Sequence, residues 1–281
     1  MVLVLAIACS ACSTSVPRQT WEQRLQGNAV AMLGEVHDNA QAHEDRLEVL
    51  HRAVAAGWRP IIAMEQFDRE RQGEIVRARH ERPRDAQYLI DLAAPSATRA
   101  RDGWNWAFYR PFVALALQYD LPLIAANLSN SDATRIVHDG YSAVFDAASL
   151  AALQLDKPIA RDWQIAQERE IDAGHCGALQ PALWPRMARA QFARDAVMAQ
   201  VLRENAGQGV VLLAGNGHVR RDTGVPRWMG DTWRERIVSV GYLERGDESP
   251  PASAFDAVVW VAPAPRPDPC MAFKRRAVER P

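Results

Sequence analysis

Four short, continuous apolar runs constrain the fold of this chain more than any other feature of its sequence. Each run ends at a glycine or a polar residue and shows no polar alternation. Continuous runs of this kind are typical of strands that are buried on both faces, as in parallel sheets covered by helices. The four runs are residues 29–34, 60–64, 121–126 and 209–214. Two further strand candidates, residues 236–243 and 254–261, follow towards the C-terminus.

Helical patterns separate these runs. Residues 41–56 carry apolar side chains at three- and four-residue spacing, and residues 181–204 repeat that pattern in a longer helix. Residues 112–119 predict a short helix that begins after Pro111. The charged stretch 68–106 has no strand pattern and is predicted to be a helical insertion or cap. Together these patterns predict an α/β fold, with a mostly parallel central sheet covered by helices on both faces.

Length and composition are those of an ordinary globular protein. The chain has 281 residues, of which 48% are hydrophobic and 24% are charged. We expect residues 1–20 to be a leader and linker, and residues 21–281 to form a single domain. The formal net charge of -1 provides no general attraction to a phosphate backbone, so nucleic acid is not an expected partner.

The N-terminus has the pattern of an export signal. Residues 1–8 are almost wholly apolar but too few to span a bilayer, which needs roughly 20 residues. A cysteine after small residues indicates lipoprotein processing, with either Cys9 or Cys12 as the lipidated residue. We therefore expect an exported lipoprotein that faces the periplasm or the outer membrane and contacts the membrane through its lipid anchor only. No basic residue precedes Arg18, so an apolar terminus without a targeting role is the alternative.

Two cysteines remain after the leader. In an oxidising compartment Cys176 and Cys270 are expected to pair, which would pin the C-terminal tail. The alternative is two unrelated thiols, one of them buried. Neither cysteine belongs to a C-x-x-C motif, which disfavours a cysteine-based metal site.

Polar residues that could take part in binding or catalysis follow the first four apolar runs. His37 follows the first run in the motif G-E-V-H, and His218 follows the fourth in the motif G-N-G-H. Glu65 follows the second run and Asn127 the third. Because open α/β sheets bind ligands beyond the carboxyl ends of their strands, we expect these residues to be neighbours in space.

Three roles are open for His37, Glu65 and His218. Two histidines and a carboxylate can bind a divalent metal with open coordination positions. The same residues can act as a catalytic base with its orienting partner. A hydrogen-bonded structural role is the third interpretation.

Two residues near His37 have alternative roles. Asp38 either orients His37 by a hydrogen bond or caps the helix that begins near Asn39. His43 lies six residues after His37, near the start of the first helix, and either lines the site or lies on the helix surface.

Residues 104–112 are rich in aromatic side chains. They either pack the cap against the sheet or form a wall for a flat apolar ligand, with Arg110 facing a carboxylate. Tyr109 could supply a phenolate to ferric iron, since tyrosine is a known haem ligand. Other candidate iron ligands are Tyr88, Tyr141, His80 and His175.

Arg220 and Arg221 follow His218 closely. They either meet an anionic group at the mouth of the site or belong to a solvated loop. The chain has no G-x-S-x-G motif, no Walker A motif and no dinucleotide-binding fingerprint. These absences disfavour an ordinary serine hydrolase, an NTPase and a Rossmann dehydrogenase.

These motifs resemble those of the ChaN-like haem-binding lipoproteins. The resemblance extends from about residue 21 to residue 261. It rests on G-E-V-H-D at 34–38, M-E-Q-F at 64–67, A-A-N-L at 125–128 and G-N-G-H-V-R-R-D at 215–222. The paired G-x-x-H motifs and the glutamate are also similar to a wider superfamily of Tiki-type metal-dependent proteases, TraB proteins and erythromycin esterases.

The resemblance implies an α/β fold, export, lipid anchoring and iron-regulated haem uptake. It implies haem as the cofactor, outer-membrane uptake machinery as a partner, and a homodimer that holds two haems face to face through tyrosine. It also identifies His37, Glu65 and His218 as superfamily motif residues. The alternative is a metal-dependent hydrolase, esterase-like or protease-like, that uses these three residues. The sequence therefore leaves open whether the protein is an enzyme.

Overall fold

The protein is built around a sheet of six parallel strands. The computed structural model describes residues 18–94, 104–246, 250–268 and 270–271. The strands are β1 (Val30–Leu33), β2 (Ile61–Asp68), β3 (Leu123–Asn127), β4 (Val210–Leu213), β5 (Ile237–Glu244) and β6 (Ala257–Val261). Their order in the sheet is β3-β2-β4-β1-β5-β6. The predicted α/β fold with a parallel sheet is confirmed.

Helices cover both faces of this sheet. They are α1 (Arg18–Gly27), α2 (Ala40–Ala55), α3 (Gln72–Glu81), α4 (Ala86–Ala93), α5 (Trp106–Gln118), α6 (Asn130–Asp139), α7 (Ala147–Leu153), α8 (Arg161–Gly174), α9 (Trp184–Asn205), α10 (Asn216–Val219) and α11 (Val225–Met229). Side chains from α1 to α5 pack into one core, and side chains from α6 to α11 pack into the other. Within β1, Ala31 and Leu33 face the first core, whereas Val30 and Met32 face the second. This alternation is the ordinary period of a strand that is buried on both sides.

The helix predicted to begin after Pro111 begins earlier. In the structure α5 starts at Trp106, and the side chain of Asn105 caps it by accepting a hydrogen bond from the Ala107 amide at 3.3 Å. Pro111 lies inside the helix and cannot donate a backbone hydrogen bond. We attribute its tolerance to tertiary packing, because neighbouring side chains such as Phe112 are fully buried against the sheet.

Strand β2 extends past the predicted boundary at residue 64. Its pairing with β4 ends where Met64 meets Leu213, and its pairing with β3 shifts register between Met64 and Asp68. Glu65 therefore lies inside β2 rather than after it. Because β4 has already ended at this level, the carboxylate of Glu65 can reach the backbone that leaves β4.

Adjacent strands β1 and β4 send the chain to opposite faces of the sheet. The chain leaves β1 for α2 on one face, and it leaves β4 for α10 and α11 on the other. A crevice between two such strands is the usual ligand-binding position in an open α/β sheet. The topology thus singles out the carboxyl ends of β1 and β4.

Cys176 and Cys270 form a disulfide, with their Cα atoms 5.5 Å apart. This bond ties the end of the described chain to the segment after α8. Residues 1–17 of the expected leader and linker, which include both candidate lipidation sites, Cys9 and Cys12, lie outside the described residues. Among the described helices, none is both long and apolar enough to span a bilayer.

Candidate functional site

The carboxylate of Glu35 is the centre of a buried polar cluster at the end of β1. Glu35 is 2% exposed. Its Oε1 atom accepts a hydrogen bond from the hydroxyl of Tyr109 at 2.6 Å and lies 2.8 Å from Nδ1 of His37. Its Oε2 atom is ion-paired with Arg46, which is also fully buried. Opposite charge and hydrogen bonding thus compensate the removal of this carboxylate from water.

Backbone contacts between neighbouring strand ends hold Glu35 in place. The amide of Gly34 donates to the carbonyl of Val240 at 2.8 Å, and the amide of Asn216 donates to the carbonyl of Glu35 at 2.9 Å. A Cβ atom at Gly34 would lie 2.3 Å from Oδ1 of Asn216, so a glycine is needed for this approach. The side chain of Asn216 is itself fixed by two hydrogen bonds to the backbone of Tyr242.

Electrostatics keep Glu35 ionised. Burial alone would raise its pKa, but the charge of Arg46 and the hydrogen bond with His37 lower the pKa to about 2. His43 is instead held in its neutral form, because burial and the nearby Arg46 charge lower its pKa to about 4. At neutral pH the cluster therefore holds an anionic Glu35, a cationic Arg46 and a neutral His43.

His37 forms the exposed edge of this cluster. Its side chain is 54% exposed, although its Nδ1 atom is bonded to Glu35. Its ring meets the ring of Trp104 edge to face, with centroids 4.7 Å apart. Its Nε2 atom makes no hydrogen bond with any described residue. Burial lowers the pKa of His37, but the hydrogen bond to Glu35 and the charge of Glu65 outweigh that effect and raise it.

A second buried cluster lies at the ends of β2 and β4. His218 lies between two carboxylates, with Nδ1 at 2.6 Å from Oδ1 of Asp195 and Nε2 at 3.4 Å from Oε1 of Glu65. The other oxygen of Glu65 accepts a hydrogen bond from the Gly215 amide at 2.8 Å. Burial opposes protonation of His218, but the charges of Glu65 and Asp195 raise its pKa to about 10. His218 is therefore an imidazolium ion at neutral pH.

Gly215 connects the two clusters. A Cβ atom at this position would lie 3.0 Å from Cε1 of His37, 3.3 Å from its Nε2 and 3.8 Å from Oε2 of Glu65. His37, Glu65 and His218 thus lie at the same edge of the sheet. Asn127 lies at that edge at the end of β3, where its Oδ1 accepts a hydrogen bond from Arg194 at 2.7 Å.

Asp38 neither orients His37 nor caps α2. Its carboxylate pairs with Arg266 at 2.8 Å in the C-terminal segment. Glu35 orients His37 instead, and Asn39 caps α2 by accepting a hydrogen bond from the Ala42 amide at 2.9 Å. The motif G-E-V-H thus carries its own orienting carboxylate.

Tyr109 and His43 lie beneath the exposed edge rather than on it. Tyr109 is 0% exposed, and burial together with the charge of Glu35 raises its pKa, so its phenol stays protonated. His43 stacks on Phe108, and its Nε2 atom lies 3.1 Å from the His37 carbonyl oxygen. The expectation that Tyr109 presents a phenolate is therefore not supported by the geometry.

The three arginines expected to contact an anion do not join either cluster. Arg220 is buried and pairs with Asp222 and Glu170, each at 2.8 Å, so it neither faces the mouth of the site nor lies in a solvated loop. Arg221 pairs with Asp256 at 2.6 Å. Arg110 is exposed and lines an open groove whose other lining residues are Arg82, Pro83, Arg84, Asp85, Ala86, Gln87 and Ala114.

The divalent-metal interpretation of His37, Glu65 and His218 is not supported. Within the part of the chain that the structure describes, no three His, Cys, Asp or Glu side chains are arranged to hold a metal ion. The physical reason is visible in His218, because the two carboxylates occupy both of its ring nitrogens. An imidazolium ion between two carboxylates has no lone pair to donate.

Sequence reasoning assigned no role to Glu35, Arg46 or Asp195. Glu35 could have been recognised as a carboxylate two residues before His37, directly after a buried strand. Arg46 could have been recognised because it interrupts the apolar stripe of α2, where an unpaired charge would be costly. Asp195 carries a weaker signal, since it is one acid among the mainly basic and apolar residues of the long helix α9.

Comparison with known proteins gives the family. A protein-family model described as haem-binding uptake, Tiki superfamily, ChaN matches residues 21–229. The chain belongs to this family. The expected resemblance is thereby confirmed, and membership supports a function related to haem binding and uptake. No curated protein sequence matches the chain significantly.

A solved ChaN structure has the same fold. A structure described as cofacial haem binding to ChaN of Campylobacter jejuni has a TM-score of 0.66 and 20% sequence identity, covering 86% of this chain and 90% of that chain. An erythromycin esterase in its open conformation has a TM-score of 0.48 and 13% identity, covering 92% of this chain and 82% of that chain. At 20% identity, the likeness to the ChaN structure concerns the fold alone.

Proposed function

We propose that the protein binds haem at the carboxyl edge of its sheet, in the crevice beyond β1 and β4. Family membership supports haem as the ligand. The position proposed for haem rests on one observation of this chain. The partly exposed rings of His37 and Trp104 lie next to each other at the end of β1. Aromatic surface with a nitrogen donor is the chemistry that a flat, apolar iron porphyrin needs.

The donor set of this chain fits haem through nitrogen better than through tyrosine. All five tyrosines of the sequence lie within the described residues. Tyr109 and Tyr242 are fully buried. The hydroxyl of Tyr141 is also buried, while those of Tyr88 and Tyr119 contact Glu81 and His51 away from the strand ends. The expectation of a tyrosine ligand, which came from the family resemblance, therefore finds no support at this edge.

Haemin titration tests this proposal directly. Purified protein is mixed with increasing haemin and followed by absorption spectroscopy, with serum albumin as a positive control and the heat-unfolded chain as a negative control. We expect a shifted Soret band that saturates at a defined stoichiometry.

Size-exclusion chromatography of the same samples tests the proposed homodimer, which is expected to appear on haemin addition. The absence of any Soret shift at micromolar protein would contradict haem binding.

We further propose that the protein is an exported, iron-regulated lipoprotein that passes haem to outer-membrane uptake machinery. The apolar N-terminus with Cys9 and Cys12 supports lipidation, and the Cys176–Cys270 disulfide suits an oxidising compartment. Mass spectrometry of the membrane-extracted protein tests this, because lipidation adds acyl mass at one N-terminal cysteine. Recovery of an unmodified chain that begins at Met1 would contradict it.

Hydrolysis is the second candidate function. The observation that favours it is the buried series Asp195, His218 and Glu65, which reaches the neighbourhood of His37. Such a series can hold and move a proton in general acid–base catalysis. Esterase and peptidase assays on wild type, His218→Gln and His37→Ala test this candidate. Activity that survives both substitutions would exclude these residues as its source.

A further inference from the structure

The segment that follows β6, residues 262–268, lies along the carboxyl ends of β5 and β1, and we call it the C-terminal strap. Its sequence is A-P-A-P-R-P-D, so every second residue lacks a backbone hydrogen-bond donor. The strap is exposed except at Ala264, which is half-buried. Alternating prolines favour a stiff, extended chain, but this segment buries too little apolar surface to stay docked through the hydrophobic effect.

Polar contacts with the turn between β1 and α2 hold the middle of the strap. The side-chain amide of Asn39 donates a hydrogen bond to the carbonyl of Ala262 at 2.8 Å. Arg266 pairs with Asp38 at 2.8 Å and also with Glu244, the last residue of β5. Since the turn begins directly after β1 and carries the first G-x-x-H motif, the strap contacts the two residues that follow its histidine.

The buried carboxylate of Glu244 joins the strap to this turn. Glu244 is 4% exposed, and its Oε1 atom accepts hydrogen bonds from the Asn39 side chain at 2.6 Å and from the Ala264 amide at 2.8 Å. Its ion-pair partner among the described residues is Arg266. If the strap left, Asn39 would be the one partner of these three that remained. A buried charge would then be poorly compensated, which favours movement of the Asn39 side chain that caps α2.

The disulfide ties the far end of the strap to the body of the protein. Cys270 lies two residues beyond the strap, and Cys176 lies in the turn after α8, a helix that packs on α9. Both cysteines are half-buried rather than enclosed, so a dithiol can reach the bond. The strap is therefore tied at both ends, by β6 on one side and by a reducible bond on the other.

We propose that the C-terminal strap is a redox-sensitive device that fixes the turn carrying His37. With the Cys176–Cys270 bond intact, the strap is held against Asp38 and Asn39. Reduction by a protein dithiol frees one end, because two electrons and two protons pass to the cysteines and the dithiol becomes a disulfide. The few exposed polar contacts that remain do not offset the conformational freedom gained, so the strap leaves and the turn loosens. This inference does not depend on haem binding.

Amide exchange of Ala42 tests the proposal, because its amide donates to the Asn39 side chain at 2.9 Å. Oxidised protein and protein reduced with dithiothreitol are compared by NMR hydrogen exchange, with Leu212 in the central strand β4 as the reference. We expect Ala42 to exchange at least about tenfold faster after reduction. Because only a segment opens, low concentrations of urea should leave this rate unchanged, whereas they should accelerate exchange of Leu212 through global unfolding.

Two variants separate the contacts of the strap from the bond. Cys176→Ser/Cys270→Ser should reproduce reduced wild type without any reductant. Arg266→Ala removes the ion pairs of the strap but keeps the bond, so we expect it to accelerate Ala42 exchange less than reduction does. Arg245→Ala is the matched control, since this exposed arginine just after β5 donates to a backbone carbonyl, and it should match oxidised wild type.

Three results would overturn the proposal. The first is equal exchange of Ala42 in oxidised and reduced protein. The second is faster exchange of Ala42 with the same urea dependence as Leu212, which would show global destabilisation instead of release of the strap. The third is a thiol count showing that dithiothreitol does not reduce the folded protein. If the double serine variant fails to fold, reduction of folded wild type carries the test.

Discussion

Two buried carboxylates at the same sheet edge are each paired with a histidine, but in opposite ways. Glu35 is neutralised by Arg46, and its histidine, His37, keeps 54% of its side chain exposed. Glu65 is neutralised by His218 itself, which is only 16% exposed. The counter-ion is permanently charged in the first case and titratable in the second.

This difference gives the histidines of the two motifs different chemical properties. Where a guanidinium carries the positive charge, the imidazole is free to offer a nitrogen to a ligand. Where the imidazole is the counter-ion, both of its nitrogens are occupied and it supports the structure or holds a proton. The two G-x-x-H motifs therefore differ in the acid at Nδ1 of the histidine, which is Glu35 of the motif itself for His37 and Asp195 of α9 for His218.

Removing Arg46 should have the largest effect on stability. Arg46→Ala leaves Glu35 as an uncompensated buried charge, which is expected to lower the free energy of unfolding by about 3–5 kcal/mol. Urea denaturation measures this loss. The double variant Glu35→Gln/Arg46→Met should recover part of it, because no unpaired charge remains.

Arg52→Ala is the matched control, because Arg52 lies on the same helix and pairs with Glu22 and Glu48 at the surface. We expect it to cost less than about 1 kcal/mol. A similar loss in both variants would show that the Glu35 cluster contributes no more than an ordinary surface pair.

The His218 cluster should make stability fall at alkaline pH. The pKa of His218 in the folded protein, about 10, lies above its ordinary value of 6.5. Its contribution is therefore fully present below pH 6.5 and is lost as the pH rises through 10. We expect a loss on the order of a few kcal/mol across this window, measured by urea denaturation at several pH values.

His218→Gln should flatten that dependence, since glutamine does not titrate. His37→Gln should leave most of it intact, because His37 is not the counter-ion of a buried acid. If the free energy of unfolding falls equally steeply with alkaline pH in wild type and in His218→Gln, His218 is not the charged partner of Glu65.

A methyl group at Gly215 should weaken ligand binding more than folding. Gly215→Ala places Cβ within 3.3 Å of Nε2 of His37, which displaces the ring from its fixed orientation. We expect haemin affinity to fall by about tenfold, or about 1.4 kcal/mol. Gly217→Ala is the matched control, since a Cβ there meets nothing within 4 Å. Equal affinities in the two variants would separate His37 from the haem site.

The smallest effect should come from His37 itself when stability is measured. His37→Ala removes a partly exposed ring and one hydrogen bond to Glu35, so we expect the free energy of unfolding to change by about 1 kcal/mol. Denaturation of the apo-protein measures this change. A loss as large as that of Arg46→Ala would place His37 in the structural core of the cluster.

The strands could be predicted because their apolar runs are continuous and short. The periodicity could not show that β2 continues through Glu65, because that extension depends on a register shift against β3. The early start of α5 was also missed. A proline at residue 111 predicts a helix boundary, but tertiary packing of the helix outweighs the lost hydrogen bond.

The position of the site could be predicted from the sequence, but the hydrogen bonds and ion pairs between its residues could not. His37, Glu65 and His218 could be placed at one edge, because parallel strands end there together. Which acid pairs with which histidine depends on contacts between residues far apart in sequence, such as Asp195 with His218. The sequence left two roles open for Asp38, orientation of His37 or capping of α2, and the geometry gives the first role to Glu35 and the second to Asn39.

A crystal structure of the haemin-loaded protein is the most direct test of the contrast between the two clusters. The account predicts haem against the rings of His37 and Trp104, with Nδ1 of His37 still bonded to Glu35 and His218 still enclosed by Glu65 and Asp195. Haem bound away from the ends of β1 and β4, or a haem-loaded structure in which His218 has left Glu65 and Asp195, would contradict it.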